Sequence, residues 1–155
     1  PFYGDGLLYV VNGKPGDLYA VKPSFEQGRK SKLIWNAKRN GGRDLPSPAM
    51  LDGMVMVTSM GGVITCYDAA SGKTLWIDRL EGAFSGSPLV SKTHYFIQNE
   101  SGTTFVIEPH RKSLNIVSRN QLSQNQEEIF RSTLSPISGK LYTRSLGQLY
   151  CLDRQ

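Results

Sequence analysis

The residues of this chain that could do chemistry are few and scattered. There are two histidines, His94 and His110, and two cysteines, Cys66 and Cys151. A zinc site needs three or four such ligands at short, characteristic spacings. Neither histidine has a Cys, Asp or His partner at such a spacing. The sequence therefore predicts no metal site.

Two other groupings suggest hydrolytic chemistry, and both lack the required geometry. Glu127 and Glu128 are adjacent in a polar segment, whereas paired catalytic carboxylates must converge on one substrate bond. The Ser85-Gly86-Ser87 run lacks the strand-turn-helix elbow and the neighbouring base that activate a serine nucleophile. We therefore expect no catalytic residue in this segment, and no cofactor bound by it.

Composition and charge narrow the remaining functional classes. The 155 residues include 18 basic and 13 acidic side chains, and the basic residues are dispersed along the sequence. Their densest cluster, residues 29–32, has the character of a solvated turn, so we expect no nucleic-acid binding. No apolar run approaches the roughly 18 residues that would span a bilayer. Because the chain starts at Pro1 rather than Met, we expect it to be part of a longer protein.

Any functional side chain must be positioned by strands, and the clearest of these lie between Gly53 and Trp76. A β-branched run opens the stretch, and Val63 to Tyr67 return antiparallel to it. We expect Gly61-Gly62 to supply the positive-φ residues of a two-residue hairpin turn. A second turn over Asp68 to Gly72 leads into a third strand that ends at the tryptophan.

This pattern recurs along the whole chain. Aligning the second strand of the stretch with its counterparts gives steps of 46, 40 and 45 residues between Ala20, Cys66, Val106 and Cys151. A second series is spaced in the same way, with Ser47-Pro48-Ala49, Ser87-Pro88-Leu89 and Ser132-Thr133-Leu134. Such periods, with turn signals between short strands, are typical of four-stranded propeller blades.

We therefore predict an all-β propeller segment, one domain spanning residues 1–155, with about four four-stranded antiparallel blades. Their approximate bounds are 1–45, 46–85, 86–131 and 132–155. We expect the first blade to begin at the strand Leu7 to Val11 and to lack its innermost strand. We expect the last blade to lack its outermost strand, and residues 119–129 to form a loop. Both cysteines should be buried free thiols on different blades.

The repeat resembles a known family. The order Ser-Pro, Gly-x-Val-x-Val and Gly-x-x-x-Cys-Tyr-Asp-Ala-x-Ser-Gly-Lys-x-x-Trp, best matched by residues 53–76, resembles the pyrroloquinoline-quinone-type (PQQ-like) β-propeller repeat. The resemblance implies a ring of seven or eight blades in which an outer-strand Trp docks against a neighbouring blade. It assigns that role to Trp35 and Trp76, and an ungapped alignment places Ile116 at this position in the third unit.

The same resemblance leaves two functions open. The family includes quinoprotein alcohol and glucose dehydrogenases and also non-enzymatic scaffolds, such as the lipoprotein of outer-membrane β-barrel assembly. The calcium ligands, catalytic Asp, Trp platform and vicinal cysteines that the resemblance implies for the enzymes match no residues here. We therefore expect a non-catalytic module for protein-protein interaction or assembly. The alternative is part of a quinoprotein dehydrogenase whose catalytic residues lie outside this segment. A periplasmic or cell-envelope location is favoured by the resemblance alone.

A binding surface is expected where the chain crosses between blades. Because blades repeat in space, the crossover segments 39–45, 82–85 and 128–131 should cluster at one rim of the axial channel. Arg43, Phe84 and Arg131 would then be available to a protein or peptide partner. Alternatively, all three are ordinary loop residues. The open blade faces could also bind a second copy of the chain or the remaining blades of a longer parent.

Overall fold

The computed structural model describes residues 1–12, 16–39, 45–125 and 127–153. These residues form fifteen β-strands and no helix, so no helix among them is long and apolar enough to cross a membrane. The first blade contains β1 (Phe2–Gly4), β2 (Leu7–Val11), β3 (Leu18–Lys22) and β4 (Lys32–Ala37). The second contains β5 (Ala49–Leu51), β6 (Met54–Thr58), β7 (Val63–Asp68) and β8 (Thr74–Arg79). The other two contain β9 (Leu89–Val90), β10 (Tyr95–Gln98), β11 (Thr103–Glu108), β12 (Asn115–Gln121), β13 (Ser135–Ile137), β14 (Lys140–Arg144) and β15 (Leu149–Leu152).

Each blade is an antiparallel sheet whose strands follow one another in chain order. The first strand of each blade is the innermost, because β5 lies beside both β1 and β9. The chain therefore alternates between two rims. We call the rim that carries the interblade connections the crossover rim, and the rim that carries the turns after the first and third strands the hairpin rim. The prediction of an all-β propeller built from antiparallel blades is confirmed.

The first blade is complete, which corrects the prediction that it lacks its inner strand. β1 pairs with β2, placing Phe2 opposite Tyr9. The turn between them is Asp5-Gly6, with φ values of 49° and 77°, as a two-residue type I′ hairpin requires. This turn recurs as Asp52-Gly53 and as Ser138-Gly139, both with positive φ at each residue. The last blade has three strands within the described residues.

The expected two-residue turn at Gly61-Gly62 is wrong, because the turn spans residues 59–62. The Ser59 N–H donates to the Val63 carbonyl at 2.8 Å, and the Gly62 N–H donates to the Ser59 carbonyl at 3.0 Å. Only Gly62 has a positive φ, 83°. A Cβ there would lie 2.3 Å from the Leu80 carbonyl oxygen, so glycine is needed for the close approach of the crossover.

The outer strand pair of each complete blade contains a register shift, typical of a β-bulge, at the same place. This register puts Trp35 opposite Ala20 and Trp76 opposite Cys66. In the third blade it puts Ser118, rather than Ile116, at that position. The prediction that Ile116 occupies the tryptophan position is wrong because the turn is longer in the third blade. Ser118 lies ten positions after Glu108, whereas Trp76 lies eight positions after Asp68. In addition, β12 extends to Gln121, so the predicted loop 119–129 begins later.

Apolar side chains fill the space between the first three blades. We call the interfaces between successive blades the first, second and third seams. The core of the first seam consists of Tyr9, Leu18, Ala20, Ala37, Val55, Val57, Tyr67 and Ala69. The core of the second consists of Ala49, Met54, Met56, Ile64, Cys66, Leu80, Phe84, Tyr95, Ile97, Phe105 and Ile107.

The two cysteines differ in environment, contrary to the prediction that both are buried. Cys66 lies in the core of the second seam, where burial raises the pKa of its thiol to about 12. Cys151 is exposed. It belongs to β15 of the fourth blade, whose far face no described residue covers, and so the same repeat position is open to solvent there.

Candidate functional site

The crossover rim is fixed by backbone hydrogen bonds between each crossover and a nearby turn. The Phe84 N–H donates to the Met60 carbonyl at 2.9 Å, and the Glu100 N–H donates to the Ala83 carbonyl at 2.7 Å. One blade further on, the Phe130 N–H donates to the Glu100 carbonyl at 2.9 Å. Crossovers and turns therefore form one continuous, hydrogen-bonded surface on which side chains hold defined positions.

Phe84 is not part of the accessible rim, which corrects the prediction that it binds a partner. Its side chain is 0% exposed, and its ring centroid lies 6.0 Å from that of Phe105, at an interplanar angle of 46°. The crossover passes over the end of the second seam, and burying the ring there stabilises the seam. A partner could therefore not contact Phe84 without unfolding this crossover.

Arg131 does lie on the accessible rim. Its side chain is 56% exposed, and its Nε lies 3.5 Å from Oε1 of Glu100. The same oxygen accepts a hydrogen bond from the Ser85 hydroxyl. Two crossovers and one turn thus meet at a single carboxylate that holds the guanidinium in place. The third predicted rim residue, Arg43, lies outside the described residues.

A second carboxylate, which the sequence did not identify as a positioning residue, fastens the last crossover. Glu128 accepts hydrogen bonds from the Tyr150 hydroxyl at 2.6 Å and from the Ser145 hydroxyl at 2.7 Å. Bonds from Ser123, Tyr150 and Ser145 lower the pKa of the Glu128 carboxyl. The carboxylate is thus committed to loop structure, and it does not supply the raised pKa of a general acid.

Both tryptophans contact the turn of the following blade on the hairpin rim. Nε1–H of Trp35 donates to the Ala69 carbonyl at 2.9 Å, and Nε1–H of Trp76 donates to the His110 carbonyl at 2.8 Å. The separation in sequence is 34 residues in both cases. Gly72 lies against the first indole with φ of 72°, and a Cβ there would meet the Trp35 ring at 2.5 Å. Each bond joins a pair of neighbouring blades.

The histidine side chains lie on the hairpin rim, and each has a hydrogen-bonding neighbour within three residues in the sequence. Nδ1 of His94 is 2.8 Å from the Thr93 hydroxyl, and Nδ1 of His110 is 3.3 Å from the Ser113 hydroxyl. Within the part of the chain that the structure describes, no three His, Cys, Asp or Glu side chains are grouped so that they could hold a metal ion. The described side chains at the two rims can therefore bind a partner through hydrogen bonds and ion pairs.

Comparison with known sequences gives two matches. Residues 16–155 match the model of the family described as outer membrane protein assembly factor BamB. A tetrathionate hydrolase from Acidianus ambivalens is 26% identical over 106 residues. That match covers 65% of this chain and 18% of the hydrolase, so the chain spans about a fifth of the length of that relative.

Solved structures share the fold at low identity. The crystal structure of BamB from Moraxella catarrhalis matches with a TM-score of 0.74 and 18% identity, covering 96% of this chain and 43% of that one. A quinohemoprotein alcohol dehydrogenase from Pseudomonas putida HK5 matches with a TM-score of 0.67 and 16% identity, covering 94% and 28%. The corresponding enzyme from Comamonas testosteroni gives 0.65, again at 16% identity, with coverages of 94% and 28%. Identities this low show a shared fold and leave function open.

Proposed function

The chain belongs to the family of the outer membrane protein assembly factor BamB, and we propose that it is a non-catalytic propeller module that binds a protein partner. The proposed contact surface is the crossover rim around Arg131. A role in building a larger assembly is consistent with the family description. The proposal concerns this segment, which spans less than half of the BamB chain that it resembles.

The observation that supports the proposal is that Arg131, an exposed arginine positioned by a carboxylate, lies near the exposed Leu146. The Arg131 guanidinium is more than half exposed and is positioned by Glu100. Leu146, 66% exposed, lies nearby, because its N–H donates to the Ile129 carbonyl at 3.0 Å. Arginine provides directional, charge-assisted bonds at interfaces, and apolar neighbours provide the buried area. An exposed leucine next to a preorganised arginine therefore suits a polypeptide that carries a carboxylate beside an apolar residue.

A crosslinking experiment in cells tests this surface. A photoreactive residue replaces Leu146 in one version and Lys112, on the opposite rim, in a second version. We expect a defined protein adduct from position 146 and none from position 112. Equal adducts from both positions, or none from position 146, would contradict the proposal.

Two matched arginine substitutions sharpen the result. Arg131→Ala in the version that carries the crosslinker at 146 should reduce the adduct at least about fivefold, because a charge-assisted bond contributes roughly 1.5–3 kcal/mol. Arg29→Ala is the control, since Arg29 is also exposed and pairs with one carboxylate, Glu26, on the hairpin-rim side. Its adduct yield should be unchanged.

A quinone titration tests the alternative, in which this segment belongs to a quinoprotein dehydrogenase. The fold similarity to two such enzymes is the reason to perform it. Pyrroloquinoline quinone and calcium are added to the protein purified at the full length at which it occurs in cells, and the absorbance of the quinone and the tryptophan fluorescence are followed. A saturable change at micromolar quinone would favour the enzyme. We expect no saturable change.

A further inference from the structure

A cleft of about 370 Å³ opens on the hairpin rim between the first two blades. Its walls include the carboxylates of Asp5 and Asp68, the ring of Tyr9 and the side chain of Arg111. The rim opposite to it carries the surface proposed above. A ligand in this cleft would therefore bind independently of a partner at the crossover rim.

The first and second seams differ at one register position. In the second seam the Tyr95 hydroxyl donates to the carbonyls of Leu51 and Met54, at 3.2 and 2.9 Å, in the inner hairpin of the preceding blade. The strand register places Val55 at the corresponding position in the first seam. The apolar side chain of Val55 cannot make these bonds, and so the first seam lacks this link to the preceding hairpin.

Tyr9 brings an unsatisfied polar group to this space. Its side chain is 1% exposed, and its ring packs against Trp35 with 5.9 Å between ring centroids. Among the described residues, none forms a hydrogen bond with the Tyr9 hydroxyl. Buried tyrosine hydroxyls normally have a hydrogen-bond partner, and a buried polar group without one is destabilising. A ligand in the cleft could supply the missing bond.

The charges of the cleft indicate the kind of ligand. Asp68 is already committed, because it ion-pairs with Arg111 and accepts bonds from Ser71. Asp5 is exposed and makes no ion pair with the described residues. The cleft thus has one carboxylate in excess, next to a hydroxyl that both Asp5 and Asp68 influence electrostatically. A cation is attracted to such a site.

We propose that this cleft binds the guanidinium or ammonium group of an arginine or lysine side chain from another polypeptide. The Asp5 carboxylate is its counter-ion, and the oxygen of the Tyr9 hydroxyl accepts one of its hydrogen bonds. The Arg111–Asp68 pair forms the neutral wall of the site. The cleft is large enough to hold one such side chain.

The test is a titration followed by NMR, using the indole N–H resonance of Trp35, whose ring contacts Tyr9. The probes are N-acetyl-arginine methylamide, N-acetyl-lysine methylamide and putrescine, added at constant ionic strength. We expect saturable shifts with a side-chain mimic, which should bind more tightly than putrescine. Tighter binding of putrescine would overturn a polypeptide as the source. No saturable shift with any probe would overturn the site.

Conservative variants assign the contacts. Asp5→Asn should weaken binding at least about tenfold, and Tyr9→Phe about threefold, from the usual range for charged and neutral hydrogen bonds. Asp52→Asn is the matched control, because Asp52 occupies the same turn position one blade further on, and it should leave the affinity unchanged. Asparagine tolerates the positive φ of both turns. Equal affinity for Asp5→Asn and the native chain would refute the assignment.

Discussion

The second and third seams join similar blades in different ways. The second is filled by apolar and aromatic side chains, and the Trp76 indole bonds across it. In the third, buried Gln98, Thr104 and Thr143 are linked by hydrogen bonds, with Thr143 Oγ1 donating to Gln98 Oε1 at 2.8 Å and Gln98 Nε2 donating to Thr104 Oγ1 at 3.3 Å. A cavity of about 250 Å³ remains there. The lesson is that a repeated backbone does not imply repeated stabilisation.

The third seam also lacks a tryptophan at the docking position. Val106 pairs with Ser118, which stands where the earlier blades have tryptophan, and a serine side chain is too short to cross to the next blade. The cavity lies in the same seam, and its lining includes Val106, Asn120 and Leu152, from the two blades that form the seam. Apolar burial therefore contributes less to this seam than to the second.

The largest expected effect comes from removing the bridge across the second seam. Trp76→Ala should lower the free energy of unfolding by about 3 kcal/mol, near the lower end for Trp→Ala because the side chain is only half-buried. Ser118→Ala, at the equivalent position in the third seam, should change it by less than about 0.5 kcal/mol. Urea unfolding followed by circular dichroism measures both. A similar cost for the two variants would mean that the seams are equivalent.

A smaller effect is expected from breaking the polar network of the third seam. Thr143→Val keeps the shape but removes the donor to Gln98, which should cost roughly 1–2 kcal/mol because a buried amide oxygen loses its partner. The double variant Gln98→Leu with Thr143→Val removes both groups and should recover most of that loss. Chemical denaturation of both variants and of the single variant Gln98→Leu compares them. If the double variant is less stable by the sum of the two single changes, the groups do not act as a network.

The smallest effect concerns the ion pair between Asp68 and Arg111 at the hairpin-rim end of the second seam. Hydrogen bonds from the Arg111 guanidinium and Ser71 lower the pKa of the Asp68 carboxyl from its ordinary value to about 2. The contribution is therefore complete above about pH 4 and is lost as the pH falls towards 2. Because Arg111 is 54% exposed, we expect less than about 1 kcal/mol.

Thermal unfolding between pH 2 and 5 measures this contribution. Asp68→Asn should be less stable than the native chain at pH 5, and the difference should shrink towards pH 2, as protonation of the native carboxyl begins. A difference that stays constant over this range would show that the ion pair contributes nothing to stability.

The repeat made the fold predictable, and local irregularities account for the errors. Alternating apolar strands and turn glycines placed β6 and β7 within two residues of their observed bounds, whereas β8 extends three residues beyond the expected end at Trp76. The inner strand β1 was missed because it has only three residues. The Asp5-Gly6 pair after it is a hairpin signal that could have revealed it. Ile116 was misplaced because the longer turn of the third blade shifts the strand register by two residues. The constant spacing assumed between repeat positions does not predict such a shift.

The candidate sites were less predictable, since they depend on side-chain direction. Rim position alone placed Phe84 and Arg131 in the same class, yet one is buried and the other exposed. An aromatic residue in a crossover above an apolar seam is more stable inside, because burial of the ring is favourable. The cleft beside Tyr9 could not be predicted at all. It depends on where the side chains of Asp5, Tyr9 and Asp68, which are far apart in the sequence, come together in space.

The contact between Gly72 and the Trp35 ring limits how this sequence can change over time. A side chain at residue 72 cannot be accommodated while the indole occupies its place, as a Cβ would fall 2.5 Å from the ring. Loss of the tryptophan would remove the steric part of that restriction, leaving only the positive φ. The two positions, 37 residues apart in the chain, should therefore covary among related sequences, and a substitution at residue 72 should be accepted only after one at residue 35.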